Sequence, residues 1–302
     1  MSDAVTVFDR AAVRHHRDRA AACFGAHDFL FREVAKRLAE RLDDIRRDFP
    51  AALDLGCHAG AFAGALAGRG GVARLVQADL SPAMLARARG LRVAADEELL
   101  PFAGASFDLV ASVLSLHWVN DLPGALAQLC RALRPDGLLL AALFGVGTLG
   151  ELREAFAAAE IAAEAGLSPR LSPFVEVRDA GALLLRAGFA LPVVDVDTIA
   201  VSYPDALALM RDLRGMGETN ALVERSRRPT PRATIAAVAA AYAKRFAGAD
   251  GRIPATFEVV YLTAWAPHAS QQRPLRPGSA QARLADALDT TEVPAGDKTR
   301  PR

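Results

Sequence analysis

Between residues 51 and 144 the chain alternates short apolar runs with helical segments, a pattern that leaves few folds open. "AALDL", "ARLVQAD", "LRVAA", "FDLVASVL" and "LLLAALF" read as strands. The segments "GAFAGALAG", "SPAMLARARG" and "DLPGALAQLCRALRPDG" between them read as helices. Strands that recur after helical crossovers pair in parallel, so the fold class is α/β, a doubly wound and mostly parallel sheet. Ser81 and Pro82 mark one helix start and Gly90 its end, and Pro-Asp-Gly at 135–137 stops another.

The flanking sequence extends this plan. "HDFLFREVAKRLAERLDDIRRDF" puts Leu30, Val34, Leu38, Leu42, Ile45 and Phe49 on one face of an amphipathic helix. After the fifth strand, Thr148 and Glu151 have capping-box spacing ahead of an alanine-rich helix. A helix near "RDAGALLLRAG" and strands near "PVVDVDTIAV" and "ATFEVVYLTAW" complete the sheet. Residues 202–250, too long for a hairpin, are expected to be a helical insertion over the active face. The expected organisation is a basic lid at 1–27, a sheet domain at 28–272 and a disordered tail at 273–302.

Composition removes some function classes. The 302 residues carry a formal charge of +1, which gives no global field for nucleic acid or an anionic membrane. Cys23, Cys57 and Cys130 form no CxxC pair, so neither a zinc site nor a disulfide scaffold is expected. The stretch from Gly137 to Gly150 is too short to span a bilayer, and "MSDAVTVFDR" has no apolar signal core. These features give the expectation of a cytoplasmic location and no integral membrane segment.

The chemistry is expected at the carboxyl ends of the strands, where the strand order reverses. "LDLGCHAG" is neither GxGxxG, because His58 and Ala61 occupy glycine positions, nor a Walker loop. What remains is Asp54-x-Gly56-x-x-x-Gly60, equally readable as a tight turn or a cofactor loop. Asp79 ends the second strand, and Asp96 follows the third, with Leu80 and Leu99 as apolar neighbours for a purine ring. Acids at three successive strand ends favour an adenosine-containing ligand over separate solvated carboxylates.

These motifs, with "QADLSPAMLARA", "ADEELLPFAGASFDLVASVLSLHWVNDLPGAL" and "LRPDGLLLAALFG", resemble class I S-adenosylmethionine-dependent methyltransferases. From Phe8 to about Ala280 the resemblance narrows. "FDRAAVRHHRDRAA", "ELREAFAAAE", "SPFVEVRDAGALLLRAGF", "LMRDLRGMGETN" and "SQQRPLRPGSA" look like the respiratory complex I assembly factors described as arginine hydroxylases. The malonyl-carrier-protein O-methyltransferases of biotin synthesis share the first half. The resemblance implies a seven-stranded sheet, S-adenosyl-L-methionine as cofactor, and contacts from Asp54, Gly56, Gly60, Asp79, Asp96 and Leu114; by their positions His58 and Leu80 join them as candidate cofactor-binding residues. It also implies a protein substrate, a peripheral-arm subunit of complex I, modified on arginine by methylation or hydroxylation. His58 replaces the family's usual glycine; its ring is expected to turn outward.

On the substrate side, "SLHWVND" offers His117 as a general base, with Trp118 and Asn120 facing substrate. In "RGMGETN", Glu218 suits bidentate pairing with a guanidinium, and Asn220 accompanies it. Each has a plainer structural reading: a strand-end cap, a core tryptophan, a helix-stop loop. No iron site for hydroxylation is legible; His16-Arg17-Asp18 puts its ends on different helix faces. The basic run holding Arg10, Arg14, Arg17 and Arg19 is a lid, a docking surface or a solvated helix face. The rival functions are carboxyl methylation of a carrier-bound or small acid and non-catalytic assembly.

Overall fold

A computed structural model describes residues 6–162, 168–170, 172, 177–272, 279, 282–291 and 293. Residues 1–267 form one unit and 268–302 another. The first carries helices α1 (Arg10–Ala20), α2 (Phe29–Glu40), α3 (Ala61–Leu66), α4 (Pro82–Leu85), α5 (Leu122–Ala132), α6 (Gly150–Ala162), α7 (Val177–Arg186), α8 (Ala206–Met216) and α9 (Arg232–Phe246). Its strands are β1 (Ala51–Leu55), β2 (Arg74–Asp79), β3 (Leu91–Ala94), β4 (Phe107–Val113), β5 (Leu133–Phe144), β6 (Ala190–Tyr203) and β7 (Ile253–Trp265). They form one seven-stranded sheet in the order β3-β2-β1-β4-β5-β7-β6, with only β7 antiparallel to its neighbours. The second unit holds a single turn of helix, α10 (Leu284–Ala287), where disorder was expected; most other tail residues lie outside the described ones.

Residue types explain the layering. β1 and β4 are buried along their whole length, as a parallel strand covered on both faces must be. Leu109, Ala111, Leu138 and Leu140 face a core shared with α2 through Leu30, Phe31, Val34 and Leu38. Their neighbours Val110, Leu139 and Ala141 face a second core under α5 and α7, with Leu126, Leu129 and Leu184. This two-residue alternation places one apolar set on each side of the sheet. Asp108 ties three strand starts together: it accepts from the Ala51 amide (2.9 Å) and from Arg134 Nη1 (2.8 Å).

Two local expectations are corrected. The α-helix over 28–49 stops at Glu40, and Arg41–Asp44 tighten into a 3₁₀ turn before Ile45 becomes extended. Asp43 and Asp44 lie where a helix C-terminus disfavours negative charge, and the chain must turn there to enter β1. Thr148 and Glu151 form no capping box. Thr148 Oγ1 donates to the Glu258 carbonyl (2.9 Å), and Glu151 accepts from the Thr256 hydroxyl and amide. The β5–β7 ladder ends at the Phe144–Val259 pair, so β7 backbone beyond it needs other partners, and the start of α6 supplies them.

Substituting Asp108→Ala orphans the buried Ala51 amide and releases Arg134 from the strand starts. The expected loss is about 1–3 kcal/mol in urea unfolding, with the same cooperative transition.

Candidate functional site: a buried charge cluster beside a large cavity

β1 has β2 on one side and β4 on the other, so the turn after β1 opens where the strand order reverses. Gly56 (φ +66°) needs its missing side chain: a Cβ would fall 2.1 Å from Ser115 Oγ. Gly60 (φ +87°) begins α3, and a Cβ there would meet Gln77 Oε1 at 2.7 Å. The Asp54 side chain is fully buried, and neither carboxylate oxygen has a hydrogen-bond partner among the described residues. Burial first, and the Asp79 charge second, push its pKa up to about 8.

The neighbouring carboxylates are engaged from an unexpected direction. Arg17, on α1, is 1% exposed. Its Nη1 reaches Asp79 (3.3 Å to Oδ1) and Glu97 Oε1 (3.0 Å), and its Nη2 donates to Ser115 Oγ (2.8 Å). Arg10, one end of the same helix, pairs with Asp96 (2.6 Å) and with Glu97. Burial works against the Arg17 charge, and the carboxylates of Asp79, Glu97 and Glu218 outweigh it, holding its pKa above the usual arginine range. Burial likewise opposes Glu97 ionisation, but Arg17 and Arg10 bring its pKa down to about 2.

His58 corrects the outward orientation expected for it. It is 2% exposed and its ring lies against Phe24 and Phe31, centroids 5.7 and 4.6 Å away. Its amide donates to Asp79 Oδ2 (3.0 Å), and Nε2 meets the Leu114 carbonyl at 3.3 Å, which assigns the proton to Nε2. Burial, then Arg17, lower its pKa to about 4. Both His58 and Leu114 have φ of +48°, a conformation disfavoured for side-chain-bearing residues.

Asp54, Gly56, His58, Gly60, Asp79 and Leu114 are thus close together, with Asp96 at the edge through Arg10. Leu80 packs with Phe8, Ala12 and Trp118, and Leu99 is 77% exposed. Arg17, Glu97 and Ser115 were not singled out as site residues. Glu97 had a legible signal as the second acid after β3; Arg17 belonged to the basic run left with three readings.

The second half of the site lies against a cavity of about 810 Å³, lined in part by Trp118, Phe144, Phe156, Met210, Glu218 and Asn220. α8 ends at Gly217 (φ +85°), whose amide bonds the Leu213 and Arg214 carbonyls. That left-handed turn folds Glu218 back under the helix, its amide reaching the Leu213 carbonyl at 2.9 Å. His117 Nε2 (3.1 Å) and Trp118 Nε1 (2.9 Å) both donate to Glu218 Oε2. Burial opposes the Glu218 charge, while His117, His58 and Arg17 bring its pKa below the ordinary carboxylate value.

Asn120 corrects its substrate-facing assignment. Its Oδ1 accepts from the Val7 and Phe8 amides (2.8 and 2.7 Å), and its Nδ2 donates to the Phe8 carbonyl, so the amide fastens the N-terminal segment. Asn220 lines the cavity and donates to the Pro169 carbonyl (2.8 Å). His16 and Asp18 diverge as expected, toward the Thr219 carbonyl and the Ser81 hydroxyl. Among the described residues no group of three or more His, Cys, Asp or Glu side chains is placed to hold a metal ion.

The fold and the glycine turn define a methyltransferase-domain protein, and the family described as "Methyltransferase domain" matches residues 53–141. The fold is that of the YcgJ protein of Bacillus subtilis, with TM-score 0.53 and 15% identity over 76% of this chain and 98% of that one. It is also that of Haemonchus contortus phosphoethanolamine N-methyltransferase 2, solved with S-adenosyl-L-methionine. There the TM-score is 0.51, with 18% identity over 85% of this chain and 60% of that one. The chain belongs to the family of the mitochondrial arginine-hydroxylase NDUFAF5, whose Danio rerio member is 43% identical over 93% of this chain and 89% of its own. The Homo sapiens member is 44% identical over 91% and 81%. The malonyl-[acyl-carrier protein] O-methyltransferase of Laribacter hongkongensis is 41% identical over 89% and 94%. The NDUFAF5 relatives are named as mitochondrial, which overturns the cytoplasmic location expected above.

Asp54 gives a pH-dependent prediction. Its folded pKa of about 8 lies above the unfolded value of 3.8, so the folded protein keeps a proton that the unfolded chain releases. This group therefore costs stability increasingly as pH rises through that window. Asp54→Asn removes the cost, and its melting-temperature gain is expected to be larger at about pH 8 than at about pH 4. Equal gains would show that burial does not govern this carboxyl. His58 acts with the opposite sign: its folded pKa of about 4 lies below 6.5, so it costs stability as pH falls between those values. His58→Gln is expected to flatten that acid limb.

Proposed function

We propose that this chain is an S-adenosyl-L-methionine-dependent enzyme that modifies an arginine side chain of a protein substrate, a subunit of respiratory complex I. The observation that carries the substrate class is Glu218, a buried carboxylate on the wall of a large cavity, held ionised and oriented by His117 and Trp118. Both of those bonds fall on Oε2, which leaves the Oε1 edge for a guanidinium. The family relationship to proteins named arginine-hydroxylase supports the same reading. A carboxylate acceptor, as the malonyl relative takes, would meet like charge at Glu218.

The residues after β1 fit the cofactor. Asp54 is an orphaned buried carboxylate, and an ammonium is the donor it lacks. Gly56 and Gly60 allow backbone approach, Asp79 offers two acceptors for ribose hydroxyls, and Asp96 and Leu114 add further acceptors. Arg17 bonds Asp79 and His58 bonds the Leu114 carbonyl, so a ribose contact at Asp79 competes with Arg17 for the carboxylate. When bound, the cofactor supplies an electrophilic methyl group on a sulfonium. The chain's contribution is alignment and exclusion of water: Trp118 and Phe144 wall the acceptor, Glu218 Oε1 orients the guanidinium and takes the proton it loses on alkylation, and His117 Nε2 holds Glu218 Oε2 in place by donating to it.

The test is intact mass of the candidate subunit after incubation with protein and cofactor. A gain of about 14 Da reports methylation and about 16 Da hydroxylation; an unmodified subunit held in a stable complex would replace the enzyme with an assembly factor. Glu218→Gln is expected to retain cofactor binding by calorimetry and to lose turnover by at least about 100-fold. No heat from the wild type at millimolar cofactor would remove the cofactor from this reading, and restored heat in His58→Gly would assign the loss to the imidazole.

A further inference from the structure

The cavity lining concentrates positive charge, and part of it has no carboxylate partner among the described residues. Arg170 and Arg225, on the lining, are each compensated, by Glu160 (2.7 Å) and Asp9 (2.9 Å). Arg211 and Arg214, on α8, are exposed and also line the cavity; Arg211 Nε donates to the Leu207 carbonyl (3.3 Å). Arg19, on α1, donates from Nη2 to Thr219 Oγ1 (3.1 Å), a residue of the same lining. Among the described residues none of Arg19, Arg211 and Arg214 has a carboxylate partner. Arg19 Nε is buried without an acceptor. Burial first, and the Arg214 charge second, depress the Arg19 pKa, so the two guanidinium groups repel one another. A like-charge arrangement of this kind is relieved by a bound anion.

We propose that this lining binds an acidic peptide segment, whose carboxylates flank the residue delivered to Glu218 and pair with Arg19, Arg211 and Arg214. The inference rests on the reading that the acceptor is a protein arginine, and it adds the sequence around that arginine. Among the described residues the lining carries one carboxylate, Glu218, and two arginines without a carboxylate partner, Arg211 and Arg214, with Arg19 bonded to the lining residue Thr219, so a cationic tip with anionic flanks is complementary to this surface. The apolar lining between them, Phe144, Phe156 and Met210, suits the aliphatic stem of an arginine.

Three fluorescent peptides with a central arginine, flanked by Asp and Glu, by Asn and Gln, or by Lys, are titrated with the full chain and read by anisotropy. The acidic peptide is expected to bind at least about 10-fold tighter than the neutral one and the lysine peptide weakest, with the spread shrinking as salt rises. The double variant R211E/R214E is expected to invert that order with an unchanged melting temperature. R46E/R74E, which reverses two exposed charges at the other end of the strands, is expected to preserve it. Equal affinities, no binding at millimolar peptide, or an acidic preference that survives R211E/R214E would overturn the proposal. Replacing the central arginine by alanine separates the two readings: loss of the flank effect sinks this inference, whereas an affinity indifferent to the central residue sinks the arginine-acceptor reading and leaves the flank preference standing.

Discussion

The contact on which the rest of the site depends is the buried guanidinium of Arg17. Its helix is not part of the sheet, yet its side chain neutralises Asp79 and Glu97 at the ends of separate strand segments and bonds Ser115 beyond β4. Removing one member of such a cluster leaves an uncompensated charge in a low-dielectric interior, which costs several kcal/mol. The same guanidinium helps hold Glu218 ionised and His58 neutral. One side chain therefore contributes to the electrostatics of both the turn after β1 and the wall of the large cavity.

That coupling gives the N-terminal segment a definite role. Asn120 anchors Val7 and Phe8, Phe8 packs edge-on against Trp118 with ring centroids 5.4 Å apart, and Val7 pairs with Val223 beyond α8. Gly217 packs against the Arg17 backbone, where a Cβ would lie 3.5 Å from Cα. α1 is thus braced on the β4 exit loop and on the insertion together, and a shift of α1 is felt by Glu218 as well as by Asp79.

What the sequence made legible follows from the range of the forces involved. Strand–helix alternation and continuous apolar runs are local signals, and they located β1 to β5 and the turn after β1. Asp54, Gly56, Gly60 and Asp79 were legible because each terminates or follows a strand. Arg17 was not, because its partners lie between 62 and 98 residues away and nothing in "RHHRDR" distinguishes the one arginine that turns inward. His58 was misjudged for a related reason. Its orientation is decided by Phe24, Phe31 and the Leu114 carbonyl, all brought in by tertiary packing. Asn120 shows the limit of reading chemistry from residue type: an amide next to a strand end served the backbone of a distant segment.

The antiparallel pairing of β6 with β7 has an evolutionary consequence. Their ladder extends from Ala190–Trp265 to Tyr203–Ile253, and the whole of α8 and α9 is inserted at its end. Residues entering and leaving the insertion are fixed side by side, so its content is free to diverge without altering the register of β1, β2 and β4. Substitutions in α8 can therefore reshape the wall of the large cavity while the strands that carry the turn after β1 keep their pairing.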